Sequence, residues 1–176
     1  LEELAVIGFP RLLDQGALGQ KSQRGVYRKV GKDIQVLDLA SMDYRLSGGE
    51  ADPGVVEILK TRDVAERFQR LRASQHPQAR FLWAALRDML HYCAYQLAAI
   101  ADNARDLDLA VRWGFGWKMG PFELWQEAGW QQVAQWVKDD IDAGKALCQA
   151  PLPDWVFDGR TGVHTLEGSW SPSAKA

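Results

Sequence analysis

The chain has 176 residues, of which 47% are hydrophobic, and a formal net charge of -2, so it can bury one real core. The acidic balance gives no electrostatic basis for nucleic-acid binding, despite eight tryptophans, and no apolar run approaches the roughly 20 residues that span a bilayer. Cys93 and Cys148 lie far apart without metal-ligand spacing, which predicts free thiols, no metal site and a cytoplasmic protein.

The N-terminal third is predicted to contain a helical turn, loops and short extended pieces. Pro10 opens a short helix that Gly16 is well placed to end with a left-handed cap. A glycine-punctuated run then leads into extended chain, and partial alternation of apolar residues over 33–46 predicts a short strand or an irregular segment. Residues 47–54 have the composition of a loop.

From residue 62 onward the hydrophobic periodicity is helical. One helix begins near Arg62, and a long one over 77–104 has the clearest pattern, with Pro77 suited to its first turn. Its apolar stripe predicts the central element of the core and comprises Leu82, Leu86, Met89, Leu90, Cys93, Leu97 and Ile100. The opposite face carries Arg80, Arg87, Asp88 and His91. We expect the helix to be contacted on more than one side, because its apolar arc is widened by Phe81, Trp83, Tyr92 and Tyr95.

Three shorter helices are predicted after the long one. Asp106 is the candidate N-cap of the first, which Gly114 ends. The second runs over 121–128, and the last has one apolar face containing Trp130, Val133, Ala134, Val137 and Ile141. From residue 151 the composition is that of turns, so little regular structure is expected.

No histidine stands in a catalytic pattern. We interpret His91 as a surface or interface side chain in an ion-pair network. His76 and His164 are loop histidines without a nearby cysteine or carboxylate pattern. Neither a nucleophile motif nor a paired-carboxylate motif is present, so we assign no catalytic residue.

The stretch 112–130, RWGFGWKMGPFELWQEAGW, contains four glycines and permits two interpretations. A dinucleotide loop needs G-x-G-x-x-G after a strand, but the spacing here is one residue longer, the preceding element has a helical pattern, and Pro121 lacks an N–H. The alternative, a corner between helices, is favoured. The tryptophans expected to pack around that corner are Trp113, Trp117, Trp125, Trp130 and Trp136. Trp125 alternatively faces a partner domain, in which case the isolated chain self-associates.

The same stretch resembles the C-terminal helical domain of 3-hydroxyacyl-CoA dehydrogenases. The shared pattern is an Asp, an Ala two residues later, Gly-x-Gly, Gly-Pro-Phe-x-Leu and a final Gly, matched at Asp108, Ala110, Gly114, Gly116, Gly120, Pro121, Phe122, Leu124 and Gly129. Upstream, LLDQGALGQKSQRGVYRK is similar to the signature that closes such a domain. It matches at Gly19, Lys21, Gly25 and Tyr27 and departs at Gln23 and Val26.

The order of the two signatures implies a piece of a long bacterial fatty-oxidation protein. Residues 1–30 would end a preceding helical repeat, 31–76 would be a connecting segment with one helix, 77–150 would be the C-terminal helical repeat, and 151–176 an irregular tail or linker. The resemblance implies an all-α fold of the 6-phosphogluconate dehydrogenase C-terminal-like type, with short extended segments near the N-terminus.

The function implied is the substrate-side or dimerisation domain of an NAD-dependent 3-hydroxyacyl-CoA dehydrogenase of fatty-acid β-oxidation, inactive alone. NAD and the catalytic His–Glu pair would belong to an upstream Rossmann domain, and Trp83, Ala84 and Ala85 replace the family's Asn-Arg. The implied partners are that domain, the preceding repeat, acyl-CoA, a downstream enoyl-CoA hydratase domain and a second copy. The substrate-binding candidates are Lys21, Gly120, Pro121 and Phe122. The alternative is a purely structural interdomain or oligomerisation module without ligand contact.

Overall fold

The computed structural model describes residue 10 and residues 12–174, apart from the side chain of residue 20. The chain divides into two units, residues 1–50 and residues 51–176. In the first unit, residues 12–14 are helical, and Gly16 ends this turn with φ +67° and an N–H that donates to the Leu13 carbonyl at 2.9 Å. The predicted left-handed cap is therefore confirmed.

The extended pieces expected in unit 1 form one antiparallel sheet. Its strands are β1 (Tyr27–Val30), β2 (Asp33–Asp38) and β3 (Asp43–Leu46), in the order β1-β2-β3. Gly31, with φ +61°, begins the two-residue turn between β1 and β2, a position that favours glycine because of its left-handed backbone. An all-α description is therefore wrong for this unit, although the chain as a whole is mostly helical.

One face of this sheet covers a small core. Leu12, Ala17 and Leu37 are buried there, and Val26, Met42 and Tyr44 pack against them. The Tyr44 hydroxyl donates a hydrogen bond to the Gly25 carbonyl at 2.5 Å, which ties β3 to the loop before β1. Hairpin contacts between neighbouring strands and one small apolar cluster thus stabilise unit 1.

Unit 2 consists of six α-helices and a short 3-10 helix within its described residues. The bounds are α1 (Pro53–Lys60), α2 (Val64–Ala73), α3 (Pro77–Ile100), α4 (Ala104–Phe115), α5 (Pro121–Glu127), α6 (Trp130–Asp142) and the 3-10 helix Asp154–Phe157. The expected single helix within 31–76 is wrong, because α1 and α2 both lie there. None of the helices in the described part combines the length and apolarity needed to cross a bilayer.

Side-chain caps explain where the helices begin. The Asp52 carboxylate accepts the Val55 N–H at 3.1 Å, which starts α1 inside a segment of loop composition. Asn103, and not the predicted Asp106, caps α4, since its Oδ1 accepts the N–H of Asp106 at 3.0 Å. The left-handed residue that follows α4 is Gly116, not Gly114.

The core of unit 2 surrounds α3. Leu90 and Leu97 of this helix are 0% exposed, as the stripe predicts, whereas Ile100 is 59% exposed at the helix end. The opposite face is also covered, because Arg87 is buried and donates to Asp140 of α6 at 3.3 Å and to the Lys145 carbonyl at 2.8 Å. Contact of this helix on more than one side is therefore confirmed, and Arg87 belongs to a buried polar network, although Arg80 of the same face is exposed.

Residues 151–174 are part of this core, which overturns the description of this segment as a linker. Leu152, Val156 and Val163 are buried, and the rings of Trp155 and Trp170 stack with centroids 4.2 Å apart. The segment has little regular structure, as expected, but its side chains pack on the helices. We call residues 151–174 the packed tail.

Candidate functional site

The corner between α4 and α5 is organised by one buried carboxylate. Asp108 is 1% exposed, and its two oxygens accept the backbone N–H groups of Phe122 at 2.8 Å and Glu123 at 2.9 Å. Because the N-cap position of α5 is Gly120, which has no side chain, Asp108 of the preceding helix caps α5 in its place. Glu123 completes the corner by accepting the Gly120 N–H at 2.7 Å and pairing with Arg112 at 2.9 Å.

The glycine of the Gly-Pro-Phe motif is required by this arrangement. A Cβ atom added at Gly120 would lie 2.3 Å from the Asp108 Cβ and 2.5 Å from the Asp108 Cα. No larger residue fits without separating α4 from α5, which would remove the cap. Pro121 occupies the first turn, where its missing N–H costs nothing.

The same contacts decide between the two interpretations of the glycine run. A phosphate cradle needs free backbone N–H groups. Here the N–H groups of Gly120, Phe122 and Glu123 are bound by carboxylates of the chain, and Pro121 has none. The Gly-Pro-Phe part of the run therefore offers no free N–H groups for a phosphate, and the interpretation of the run as a helix corner is confirmed.

His164 of the packed tail joins the corner. Its Nε2 lies 2.7 Å from Asp108 Oδ2, and its Nδ1 lies 3.1 Å from Ser169 Oγ. The sequence near His164 has no carboxylate pattern, as described, but the fold brings this histidine to a buried carboxylate. The two residues are 56 positions apart, and no spacing pattern in the sequence connects them.

The Asp108–His164–Ser169 chain resembles a catalytic triad in residue types but is arranged as a structural connection. In a serine hydrolase the histidine Nε2 faces the serine, whereas here Nε2 faces Asp108. Ser169 Oγ also accepts the Arg105 N–H at 3.0 Å, which satisfies a free donor in the first turn of α4. We interpret these three hydrogen-bonded residues as the attachment of the packed tail to α4 and to the corner.

The substrate-binding candidates are divided between the two units. Gly120, Pro121 and Phe122 adjoin one another in unit 2 and are all buried, with Phe122 at 0% exposure. Lys21 is exposed in unit 1, within a single 3-10 turn. Their contact with substrate stays a prediction.

The tryptophans do not form one cluster at the corner. Trp125 and Trp130 are buried and stacked at 4.5 Å, so the alternative in which Trp125 faces a partner is wrong. Trp136 packs instead on Trp83. Trp113 and Trp117 are 79% and 44% exposed, because α4 ends there and the chain turns back at the corner.

His91 is the second histidine that the structure places differently from the sequence. It is 2% exposed, and its Nε2 has no hydrogen-bond partner among the described residues. Burial lowers its pKa from the ordinary value of 6.5, against the opposing effects of the Ala150 carbonyl and Asp88. A surface ion-pair role is therefore wrong, and His91 is a neutral core residue.

This burial predicts a pH dependence of stability. The pKa of His91 is lower in the folded than in the unfolded chain. The contribution of neutral His91 to the free energy of unfolding is therefore complete above pH 6.5 and decreases as the pH falls below that value. We expect the urea midpoint to fall less in a His91→Phe variant than in the wild type between about pH 7.5 and about pH 5.5. Tryptophan fluorescence reports the unfolding. An equal decrease of the urea midpoint in both proteins would contradict the assignment of His91 as a neutral core residue.

Comparisons with known proteins find relatives of this chain. It is 31% identical over 144 residues to a probable 3-hydroxyacyl-CoA dehydrogenase of Bacillus subtilis, covering 76% of this chain and 18% of the relative. Two putative fatty acid oxidation complex trifunctional enzymes also match, from Rickettsia felis (24% identity, 83% of this chain, 19% of the relative) and Rickettsia prowazekii (22%, 84% and 19%). No protein-family model and no solved structure matches.

These matches confirm the resemblance seen in the motifs. The chain is related to proteins named 3-hydroxyacyl-CoA dehydrogenase and fatty acid oxidation trifunctional enzyme. It spans less than a fifth of the length of these relatives, 18% to 19%.

Proposed function

We propose that this chain is the C-terminal, non-catalytic helical portion of an NAD-dependent 3-hydroxyacyl-CoA dehydrogenase of fatty-acid β-oxidation. The corner around Asp108 carries the proposal. Its Asp and Gly-Pro-Phe residues are those by which the sequence resembles the family, and their polar groups are all used to join α4, α5 and the packed tail. The motif then serves architecture, and the oxidation of the 3-hydroxyl group with reduction of NAD takes place on an upstream Rossmann domain.

The proposal includes the repeat organisation and the fold type. Residues 1–30 would end one helical repeat and residues 77–150 would form the next, in the 6-phosphogluconate dehydrogenase C-terminal-like arrangement. The order of the two signatures along the chain supports this organisation. A cytoplasmic location is also part of the proposal, in keeping with the free thiols Cys93 and Cys148.

An exposed aromatic surface supports a role in joining domains. Trp113, Phe115 and Trp117, which we call the aromatic patch, are 79%, 74% and 44% exposed at the end of α4. The rings of Phe115 and Trp117 contact each other with centroids 6.1 Å apart, and clustered exposed apolar side chains are typical of interaction sites. We propose that the upstream domain of the longer polypeptide covers the patch, and a second copy is the alternative occupant.

The patch predicts self-association of the isolated chain. We expect sedimentation velocity over a concentration series to show oligomers, and we expect a Trp113→Ser/Phe115→Ser variant to remain monomeric because its apolar surface is reduced. A matched control is Phe81→Ser/Tyr92→Ser, which changes two exposed aromatic residues of α3. A wild-type chain that stays monomeric throughout, or equal effects of both double variants, would argue against the patch as the interface.

The proposed function is tested by exchange with a relative. The matching segment of the Bacillus subtilis protein is replaced by this chain, and formation of NADH from 3-hydroxybutyryl-CoA is measured. We expect activity within about tenfold of the parent, because the exchanged part supplies architecture and not chemistry. A folded chimera without activity, beside an active parent, would contradict the proposal.

A further inference from the structure

The loop of residues 143–150 joins α6 to the packed tail and crosses the polar face of α3. Among these residues, all of which the structure describes, only Ala146 is buried, and none is in a helix or strand. Leu147 is 72% exposed. Burial of apolar side chains therefore contributes little to the position of this loop. Segments with few buried apolar contacts are the ones that open most readily in a folded protein.

The two ends of the loop are fixed. The Lys145 N–H donates to the Asp140 carbonyl of α6 at 2.8 Å, and the Lys145 carbonyl accepts Arg87 of α3 at 2.8 Å. At the other end, Leu152 is buried in the core of unit 2. An opening of the loop is therefore confined to residues 146–150.

Two side chains of α3 hold this movable part. Asp88 accepts the Leu147 N–H at 3.1 Å, and the His91 ring is hydrogen-bonded to the Ala150 carbonyl. Nε2 of His91 has no partner among the described residues, so Nδ1 is the nitrogen that donates to Ala150. Neutral His91 thus carries its proton on Nδ1 and an unprotonated nitrogen at Nε2.

A proton taken up from solvent would enter at Nε2 of His91. The ring is 2% exposed, so the new N–H would be buried without an acceptor. Of the charged groups around it, Asp88 and Arg87 act on His91 in opposite directions, and they pair with each other at 2.9 Å. Asp140 pairs with Arg87 at 3.3 Å, and Lys145 lies 3.9 Å from Asp140. The carboxylates are already in use, and the cation gains an acceptor by reaching water.

We infer that residues 146–150 form a pH-sensitive flap, which protonation of His91 releases from α3 while the helices stay folded. The open flap admits water to the imidazolium and separates the Leu147 N–H from Asp88. Because the open state binds the proton more tightly than the closed state, a falling pH shifts the equilibrium toward the open state.

The size of the shift follows from the two protonation states. A histidine with a pKa of 6.5 in the open flap, and a lower pKa in the closed one, raises the opening constant by up to about tenfold between about pH 7.5 and about pH 5.5. The inference does not rest on the proposed function, and the activity of the chimera is independent of it.

Hydrogen exchange of backbone amides in the full chain, followed by NMR over this pH range, tests the flap. Protection factors are compared, because they remove the intrinsic pH dependence of exchange. We expect the protection of the Leu147 N–H to fall by up to about tenfold toward about pH 5.5. The Lys145 N–H, bound to α6, and the Leu97 N–H, in the core, should change by less than about twofold, since only the flap opens.

Two variants separate His91 from the other histidines. His91→Asn keeps a donor for the Ala150 carbonyl but takes up no proton, so the protection of Leu147 should no longer depend on pH. His76→Asn is the matched control at the start of the same helix, where asparagine is also a good N-cap, and it should retain the wild-type pH dependence. The ring signal of His91 needs no variant, and its titration midpoint should lie below 6.5.

Four results would overturn the inference. The first is a protection of Leu147 that stays constant with pH in the wild type. The second is an equal fall at Leu147, Lys145 and Leu97, which would mean that the chain loosens as a whole. The third is the same fall in His91→Asn as in the wild type, and the fourth is a His91 titration midpoint at or above 6.5.

Discussion

A Gly120→Ala variant is expected to lose about 3 kcal/mol of unfolding free energy, a large effect for the addition of one methyl group. The new Cβ would meet the backbone and the side chain of Asp108 at 2.3 to 2.5 Å, and backbone cannot move aside as a side-chain tip does. Separating the two helices would also release the Phe122 and Glu123 N–H groups from Asp108. Urea unfolding followed by circular dichroism measures the loss.

Gly114 provides the matched control. It lies inside α4, and a Cβ added there meets nothing within 4 Å. Gly114→Ala should therefore be neutral or stabilising by up to about 1 kcal/mol, because alanine is the better helix former. If both substitutions changed stability by the same amount, close packing of Gly120 on Asp108 would not be the reason for this glycine.

Hydrophobic periodicity predicted the helices that have one clear apolar face. The helix α3 was predicted over 77–104 and is observed over Pro77–Ile100. The helix α1 was missed because it is short and begins inside the segment 47–54, which has the composition of a loop, with its start set by one side-chain cap from Asp52. Short helices depend on such single contacts and on tertiary packing, and neither leaves a periodic signal.

The error at His91 has a physical cause. The wide apolar arc of α3 predicted contact on more than one side, but a polar helix face was taken as a surface or interface at His91, where the structure buries it. The second cover is polar: Asp140 and the Lys145 carbonyl receive Arg87, and the Ala150 carbonyl receives His91. A charged residue on a helix face does not reveal whether its partner is water or a buried carboxylate.

At the corner, the motif identified Asp108 and Gly120 correctly as members of one pattern. What each residue does followed from the structure: one caps α5, and the other allows the cap to approach. His164 had no such signal, because its contact with Asp108 joins segments that are distant in the chain. Long-range hydrogen bonds of this kind are formed by topology, which residue spacing alone does not encode.

The packed tail predicts the second large effect. A chain ended after residue 150 should lose its cooperative unfolding transition and bind a hydrophobic dye. Truncation removes the buried side chains of Leu152, Val156 and Val163 and exposes the apolar helix surface on which they pack. The loss of unfolding free energy is about 1.5 to 3 kcal/mol for each of these side chains. Such a sum is comparable with the whole stability of a typical domain, about 5 to 15 kcal/mol.

Truncation also removes hydrogen-bond partners from the helices that remain. The Trp170 carbonyl accepts the Ala104 N–H at 3.0 Å, and the Val156 carbonyl accepts the Trp130 indole N–H at 3.0 Å. Without these acceptors the Ala104 N–H and the Trp130 indole N–H have no hydrogen-bond partner. Each of these donors that stays buried lowers the unfolding free energy by about 1 to 3 kcal/mol.

Two point variants in the 3-10 helix give a graded form of this test. Trp155→Ala should cost about 3 kcal/mol, because the Trp155 ring packs on Phe122, Trp130 and Trp170. Phe157→Ala, in the same helix but 45% exposed, should cost less than about 1 kcal/mol.

A truncated chain that unfolds cooperatively at the wild-type midpoint would mean that the tail covers a core that is already complete without it. In that case Trp155→Ala should be as mild as Phe157→Ala. The two measurements therefore test one claim, that the segment after residue 150 is a structural part of the helical unit.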